Sequence, residues 1–340
     1  MAETKPTQPP IDEAATLAAA VTAFQAGRRT EARALCESIL GQAPNHIEAL
    51  HLSSVIAAAQ GDVEAGIDKA RRVIALEPNH DEALQNLGSL LASQGRYAEA
   101  LPALERAAAR NPFGPTTIVN FASALRELGR HEEAVAALDR LLQRTPDQAG
   151  ALRQKALVLL AMAKVPAAVA LLKRSSEIEP RAVTFGDLAT ALRLKGELRN
   201  ALAAGRKALE LEPGNEMLSA RILHHMDQAC DWPYGSKLRM RVRRQRANAL
   251  ALGRPLSEAP FALIGYEDDL GDSLRIAALA ARAAERRAGA PMVLTRPPRS
   301  RGPIVVGYLS QDFREHAVAQ LVVRCLERHD RQAVRVHAYA

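Results

Sequence analysis

A period of 34 residues constrains the fold of this 340-residue chain more than any other feature of its sequence. One marker of the period is proline, at Pro44, Pro78, Pro112, Pro146, Pro180 and Pro213. A second is glycine, with one alanine in the series, at Gly27, Gly61, Gly95, Gly129, Ala163 and Gly196. A third is a small residue five positions later, at Ala32, Gly66, Ala100, Ala134, Ala168 and Ala201. Three markers repeating over six units indicate stacked supersecondary units rather than an irregular helical bundle.

A single unit is predicted to be two helices joined by a tight turn. The first helix is expected over residues 81–93, where one face carries the apolar side chains Leu84, Leu87, Leu90 and Leu91. Gly95 suits a left-handed C-cap at the turn. The second helix is expected over about residues 97–109, with Ala100 at the close approach of the two helices and Pro102 near the first turn.

This unit resembles the tetratricopeptide repeat family over residues 12–215. The resemblance implies a mainly α fold, a right-handed α–α superhelix of six repeats with a groove lined by the first helix of each repeat. Polar residues recur at equivalent groove positions, and we call them the polar row: Asn86, Asn120, Gln154 and Asp187. Amides carry both donors and acceptors, so the row is expected to bind extended peptides of acceptor proteins through their backbone. The alternative is that these side chains are merely solvated.

Residues 216–303 are expected to form a helical linker region without the period. Residues 237–246 read KLRMRVRRQR, and on a helix their arginines flank a narrow apolar stripe. A solvated basic helix face is the simpler interpretation. A nucleic-acid patch is the alternative, since the chain carries a formal charge of +7. No aromatic residue lies within the run, which weakens that alternative, so a nucleic-acid partner is not expected.

Residues 304–340 change character and are predicted to open a Rossmann-like sheet. An apolar run over residues 304–309 reads as a strand, residues 317–328 as a helix, and residues 334–340 as a second strand. Strand, helix and strand form a βαβ unit, in which functional groups follow the carboxyl ends of the strands.

Two segments then carry a second and more specific resemblance. Cys230, Asp231 and Trp232 follow the repeats, and residues 306–316 read VGYLSQDFREH. With the repeats, they resemble the O-linked N-acetylglucosamine transferase and SPINDLY family of protein glycosyltransferases over residues 12–340. The resemblance implies that residues 304–340 begin the N-terminal Rossmann-like lobe of a GT-B enzyme. Such an enzyme transfers a sugar from a nucleotide-sugar, expected to be UDP-GlcNAc, to Ser or Thr of acceptor proteins.

The same resemblance assigns roles to residues of the DFxxH motif. His316 matches the active-site histidine of the family and is the candidate catalytic residue, since an imidazole suits acid–base or hydrogen-bonding work. Ser310, Asp312 and Phe313 are expected to shape the motif loop. No tightly bound cofactor and no metal are expected. The nucleotide-sugar lobe has no counterpart in these residues, so we expect no turnover by this chain alone. The alternative function is a non-catalytic tetratricopeptide interaction scaffold.

Composition narrows the remaining choices. Hydrophobic residues make up 48% of the chain and aromatic residues only 4%, which favours helices over a β-sandwich. Three widely spaced cysteines give no disulfide framework or metal motif. Residues 1–11 read as a disordered tail without a secretory signal, and no apolar run reaches membrane-spanning length. We therefore predict a cytoplasmic protein that does not bind membranes, and a homo-oligomer is compatible with the sequence.

Overall fold

The computed structural model describes residues 12–254, 256, 270–288, 304–309, 327–328, 330 and 334–339. The chain divides into two compact units, Met1–Gly289 and Ala290–Ala340. The described helices of the first unit are α1 (Glu13–Gln25), α2 (Arg29–Gln42), α3 (Ile47–Ala59), α4 (Val63–Leu76), α5 (Asp81–Ser93), α6 (Tyr97–Arg110), α7 (Pro115–Glu127), α8 (His131–Arg144), α9 (Ala149–Ala161), α10 (Val165–Ile178), α11 (Ala182–Leu194), α12 (Leu198–Leu211), α13 (Glu216–Gln228), α14 (Trp232–Ala251) and α15 (Leu270–Ala288). The described strands of the second unit are β1 (Ile304–Leu309) and β2 (Val334–Tyr339).

The helices α1–α14 pack as consecutive antiparallel pairs that form a repeat superhelix, which confirms the mainly α prediction. Within each pair the two helices contact one another, and the second helix also contacts the first helix of the next pair. First helices of neighbouring pairs contact each other as well, from α1 with α3 through to α11 with α13. The first helices therefore form the inner layer of the stack, and we call the surface they line the inner face.

The core of each pair follows the apolar spacing of the sequence. The first helix of the third unit, α5, has the predicted bounds, and its four predicted leucines are at most 9% exposed. Ala100 is fully buried where α6 meets α5, as its small side chain predicts. Pro102 differs from expectation because it is the sixth residue of α6, beyond the first turn. It therefore removes an intrahelical hydrogen bond that a first-turn proline would spare.

The turn between the paired helices explains the glycine marker. The second residue after each first helix adopts a left-handed backbone, with φ of 74° at Gly95 and 75° at Gly129. A Cβ atom makes this backbone conformation costly, so the position favours glycine, which has none. Ala163 occupies the same place with φ of 58°, and so does Cys230 with φ of 55°.

The left-handed Cys230 marks a seventh helix pair beyond the six predicted repeats. It lies 34 residues after Gly196, and the small-residue marker continues at Gly235, which is buried on α14. Asp231 is the N-cap residue of α14 and Trp232 begins that helix. The period therefore continues through residues 216–251, a part of the chain expected to be a linker, because the left-handed turn and the small contact residue are both kept.

Replacing Ala163 with glycine is expected to stabilise the array by about 0.5–1 kcal/mol, since glycine adopts the left-handed turn without a Cβ penalty. The matched control is Gly129→Ala at the equivalent turn, which is expected to destabilise by about 1 kcal/mol. Urea denaturation followed by far-UV circular dichroism measures both. A shift of the two variants in the same direction would contradict this account of the turns.

The two described strands of the second unit pair in parallel. Ile304 lies opposite Val334, and the register runs to Leu309 opposite Tyr339. Both predicted strands are thus present. Parallel strands need a crossover connection, but residues 310–326, which would form it, lie outside the described residues. The βαβ unit and the Rossmann-like lobe therefore stay predictions.

Candidate functional site on the inner face

Two amides of the polar row connect neighbouring first helices. Asn86 on α5 donates from Nδ2 to Oγ of Ser54 on α3 at 2.8 Å, and Asn120 on α7 donates to Oγ of Ser89 on α5 at 2.7 Å. Both asparagines are half-buried. Each of these bonds uses one N–H, while a primary amide carries a second N–H and a carbonyl oxygen. The two side chains therefore join adjacent repeats and keep hydrogen-bonding groups for a ligand.

The other two members of the row lie deeper. Gln154 on α9 is 4% exposed, and its Nε2 has no hydrogen-bond partner among the described residues. Asp187 on α11 is equally buried and accepts hydrogen bonds from Arg153 Nε at 2.7 Å and Arg221 Nη1 at 2.9 Å. Asp187 therefore already pairs with arginines of both neighbouring repeats, and its part in peptide binding stays a prediction. The row thus changes from amides to charges along the array.

Arginines dominate the C-terminal end of the inner face. Arg153 lies on α9, Arg193 on α11 and Arg221 on α13, and we call these three the arginine cluster. Asp187 and Arg221 occupy the same position of successive first helices, and Arg153 lies one residue before the equivalent position on α9, from where it reaches Asp187 on the next first helix. Sequence reasoning missed Arg221 because it ended the array at residue 215, and it missed Arg153 and Arg193 because they lie outside the polar row. The signal available was Arg221, one full period after Asp187.

His225 on α13 reports the electrostatic environment of this cluster. It is 4% exposed, and its Nδ1 has no hydrogen-bond partner among the described residues. Burial, and then the positive charges of Arg193 and Arg221 and the nearby His224, together lower the pKa of His225 to about 4. The imidazole is therefore neutral at pH 7, and this end of the inner face has an excess of positive charge.

This pKa shift predicts a loss of stability in mild acid. An unfolded chain holds histidine at its ordinary pKa near 6.5, so between about pH 6.5 and pH 4 the unfolded state binds more protons than the folded state. The free energy of unfolding is expected to fall across that window by about 3 kcal/mol at most. His225→Gln should reduce the fall strongly, and His224→Gln should change it much less, because the exposed His224 is the smallest contributor to the shift. Equal pH dependence of urea unfolding in all three proteins would contradict the assignment.

The predicted catalytic and motif residues cannot be joined to this site. His316, Ser310, Asp312 and Phe313 lie outside the described residues. Among the residues that are described, no group of His, Cys, Asp or Glu is arranged to hold a metal ion. In the same part of the chain, no helix combines the length and the apolar character needed to cross a bilayer.

The basic run on α14 is only partly a solvated face. Its apolar stripe is buried as predicted, with Leu238 and Val242 at most 3% exposed. Arg239, however, donates to Asp227 on α13 at 2.5 Å, and Arg246 is 5% exposed. Arg239 is therefore held by an ion pair with α13 and Arg246 is buried, so the basic surface left on α14 is smaller than the sequence suggests.

A cavity of about 400 Å³ lies elsewhere, between α6, α7 and α8. Ile118 and Phe121 form part of its apolar lining, with the carboxylates of Glu105 and Glu133 beside them. None of the polar row or the arginine cluster lines it. The inner face remains the surface on which equivalent polar groups recur from repeat to repeat.

Comparison with known proteins agrees with this architecture. The tetratricopeptide repeat family model matches residues 55–115 and 119–183. A tetratricopeptide repeat protein from Parabacteroides merdae has 18% identity and a TM-score of 0.54 over 64% of this chain and 85% of its own. PilW, a type IV pilus biogenesis factor, has 18% identity and a TM-score of 0.55 over 62% of this chain and 98% of its own. PilF of Pseudomonas aeruginosa has 17% identity and a TM-score of 0.50 over 60% and 93%. No curated protein matches the chain.

At these identities the solved structures are similar to this chain in fold alone. The stacked helix pairs form a tetratricopeptide-like superhelix, and the family match itself lies within residues 55–183. Arrays of this class present extended inner surfaces on which other proteins bind.

Proposed function

We propose that this chain is a protein-interaction scaffold whose inner face binds an extended segment of a partner protein. The observation that carries the proposal is the row of half-buried asparagines, Asn86 and Asn120, at equivalent positions of successive first helices. Their remaining amide groups recur once per repeat and match the repeating donors and acceptors of an extended backbone. Binding through the backbone would leave the partner's side chains free to vary.

The test selects binders from a displayed library of random unstructured peptides and measures their affinity by calorimetry. Ser123 lies three residues after Asn120 on the same face of α7, so Ser123→Trp is expected to block the inner face and weaken binding at least roughly tenfold. Ala203 is exposed on the second helix α12, and Ala203→Trp is the matched control, which should leave affinity unchanged. Equal effects of the two substitutions would exclude the inner face as the binding surface.

Removing the amides tests the row itself. The double variant Asn86→Ala with Asn120→Ala is expected to weaken the selected peptides by about tenfold, the equivalent of roughly 1.4 kcal/mol. Buried Ser54 keeps its hydrogen bond to the carbonyl oxygen of Gly66 on α4 at 2.6 Å, so its hydroxyl retains a partner within its own helix pair when Asn86 is lost. Unchanged affinity would mean that the asparagines only join the repeats.

Protein glycosylation is the second candidate function, and the parallel pairing of β1 with β2 on either side of the DFxxH segment favours it. In this proposal the inner face presents acceptor proteins to a transferase whose active-site histidine is His316. The test is mass spectrometry of a selected Ser- or Thr-containing peptide after incubation with UDP-GlcNAc. The resemblance assigns donor binding to a further lobe, so we expect no mass gain with this chain alone. A gain that His316→Ala abolishes would contradict that expectation and establish the transferase.

A further inference from the structure

The arginine cluster carries more positive charge than Asp187 neutralises. Arg153, Arg193 and Arg221 bring three guanidinium charges, and Asp187 brings one carboxylate charge between Arg153 and Arg221. His225 stays neutral at pH 7 beside Arg193 and Arg221. The cluster therefore has an excess of two positive charges on one end of the inner face, and it attracts an anion.

Several donors of the cluster are also unused. Arg221 donates to Asp187 through Nη1 only, and its Nε and Nη2 have no hydrogen-bond partner among the described residues. The Nε of Arg193 is likewise buried without a partner there. Buried charged donors without partners are costly, so sites of this kind are completed by an ion, water or ligand. Those donor atoms are themselves closed to solvent, but the side chains of Arg153 and Arg221 each remain 28% exposed, so an anion can contact the exposed part of these two side chains.

The spacing of the cluster suits an extended acidic segment. Neighbouring first helices lie about 8–10 Å apart, so α9 to α13 spans roughly 16–20 Å. An extended chain advances about 3.3 Å per residue, so five or six residues cover that distance. Carboxylates suit these arginines, since planar guanidinium groups pair well with them. The carboxylate of Asp187 already accepts hydrogen bonds from both Arg153 and Arg221.

We propose that the C-terminal end of the inner face binds an acidic segment of a partner protein, whose carboxylates pair with Arg153, Arg193 and Arg221. This inference rests on the proposed function, because it requires an extended segment on the inner face. It adds the chemistry of that segment, namely Glu or Asp side chains spaced along five or six residues.

Fluorescence anisotropy of the full chain tests the proposal with two labelled peptides of about twelve residues. One repeats Gly-Ser-Glu, and the other has glutamine in place of glutamate. The acidic peptide is expected to bind at least roughly tenfold more tightly than the neutral one, with a preference that decreases as salt rises. Arg193→Gln combined with Arg221→Gln should remove that preference. The control variant, Arg174→Gln combined with Arg244→Gln, removes the same charge from the second helices α10 and α14. This variant should keep most of the preference for the acidic peptide.

A substitution of Asp187 separates binding from stability, because a purely structural role of the cluster would not predict tighter binding of the acidic peptide. Asp187→Asn removes the internal competitor for the arginines, so it is expected to tighten binding of the acidic peptide several-fold while lowering the stability of the fold. Weaker or unchanged binding of the acidic peptide by this variant would overturn the proposal.

The remaining outcomes separate this proposal from the proposed function. Equal binding of both peptides, blocked by Ser123→Trp, would overturn the acidic segment and leave the inner face as a binding surface. Binding of neither peptide would also overturn it, while the library-selected peptides still test the inner face. A short oligothymidine that displaces the acidic peptide and binds more tightly through the same arginines would assign the cluster to nucleic acid instead.

Discussion

Replacing Leu138 with alanine is expected to lower the free energy of unfolding by about 3–5 kcal/mol. Leu138 on α8 is fully buried in a cluster with Ile118 and Leu125 of α7 and Val158 of α9. Its other buried neighbours in that cluster are mostly alanines, whose short side chains cannot move into the space left by the leucine. The cavity therefore persists and its cost adds to the lost burial of apolar surface.

Urea denaturation of the purified chain measures this loss, and Leu211→Ala is the matched control. Leu211 is the last residue of α12 and is 41% exposed, so its truncation is expected to cost less than about 1 kcal/mol. Each unit of a repeat array contacts only its neighbours, so amide exchange in Leu138→Ala should accelerate first in α7, α8 and α9. Equal losses in the two variants would mean that the fourth and fifth units do not share this core.

Replacing Asp187 with alanine is expected to destabilise the array by about 2–4 kcal/mol. Its side chain is 6% exposed and accepts hydrogen bonds from Arg153 and Arg221, which come from the preceding and the following repeat. Removing the carboxylate leaves two half-buried guanidinium groups side by side without a counter-charge. The partial exposure of the arginines moderates the effect, because water screens their repulsion.

Asp147→Asn is the control for this prediction. Asp147 pairs with Arg174 at 2.6 Å, but its side chain is 73% exposed. An exposed pair of this kind contributes less than about 1 kcal/mol, so the control should unfold close to the unmodified chain. If the Asp187 and Asp147 variants lost equal stability, the charge bridge across three repeats would have no special role.

The repeat architecture was accessible from the sequence because its determinants are local. Leu84, Leu87, Leu90 and Leu91 define one helix face, and the left-handed Gly95 ends that helix. The seventh pair was harder to find, because Cys230 stands where all the earlier turns but that of Ala163 have glycine, and the proline marker is absent after Pro213. The left-handed backbone of Cys230 and the small residue Gly235 continue the period there.

The inner face was predictable in position but less so in chemistry. Helical spacing alone assigns Asn86 and Asn120 to equivalent places, and they are there. Asp187 was predicted as a peptide ligand, and its bridging between Arg153 and Arg221 depends on contacts between separate repeats. Hydrogen bonds between side chains 34 residues apart become visible only once the repeats are stacked.

The central claim is that an extended partner segment lies along the inner face, and photo-crosslinking tests it most directly. Library-selected peptides carrying one photoreactive residue are irradiated with the full chain, and the crosslinked residues are identified by mass spectrometry. The account predicts crosslinks on the first helices α5, α7, α9 and α11, at positions that advance by one repeat as the photoreactive residue moves along the peptide. Crosslinks on the second helices, or without that progression, would contradict it.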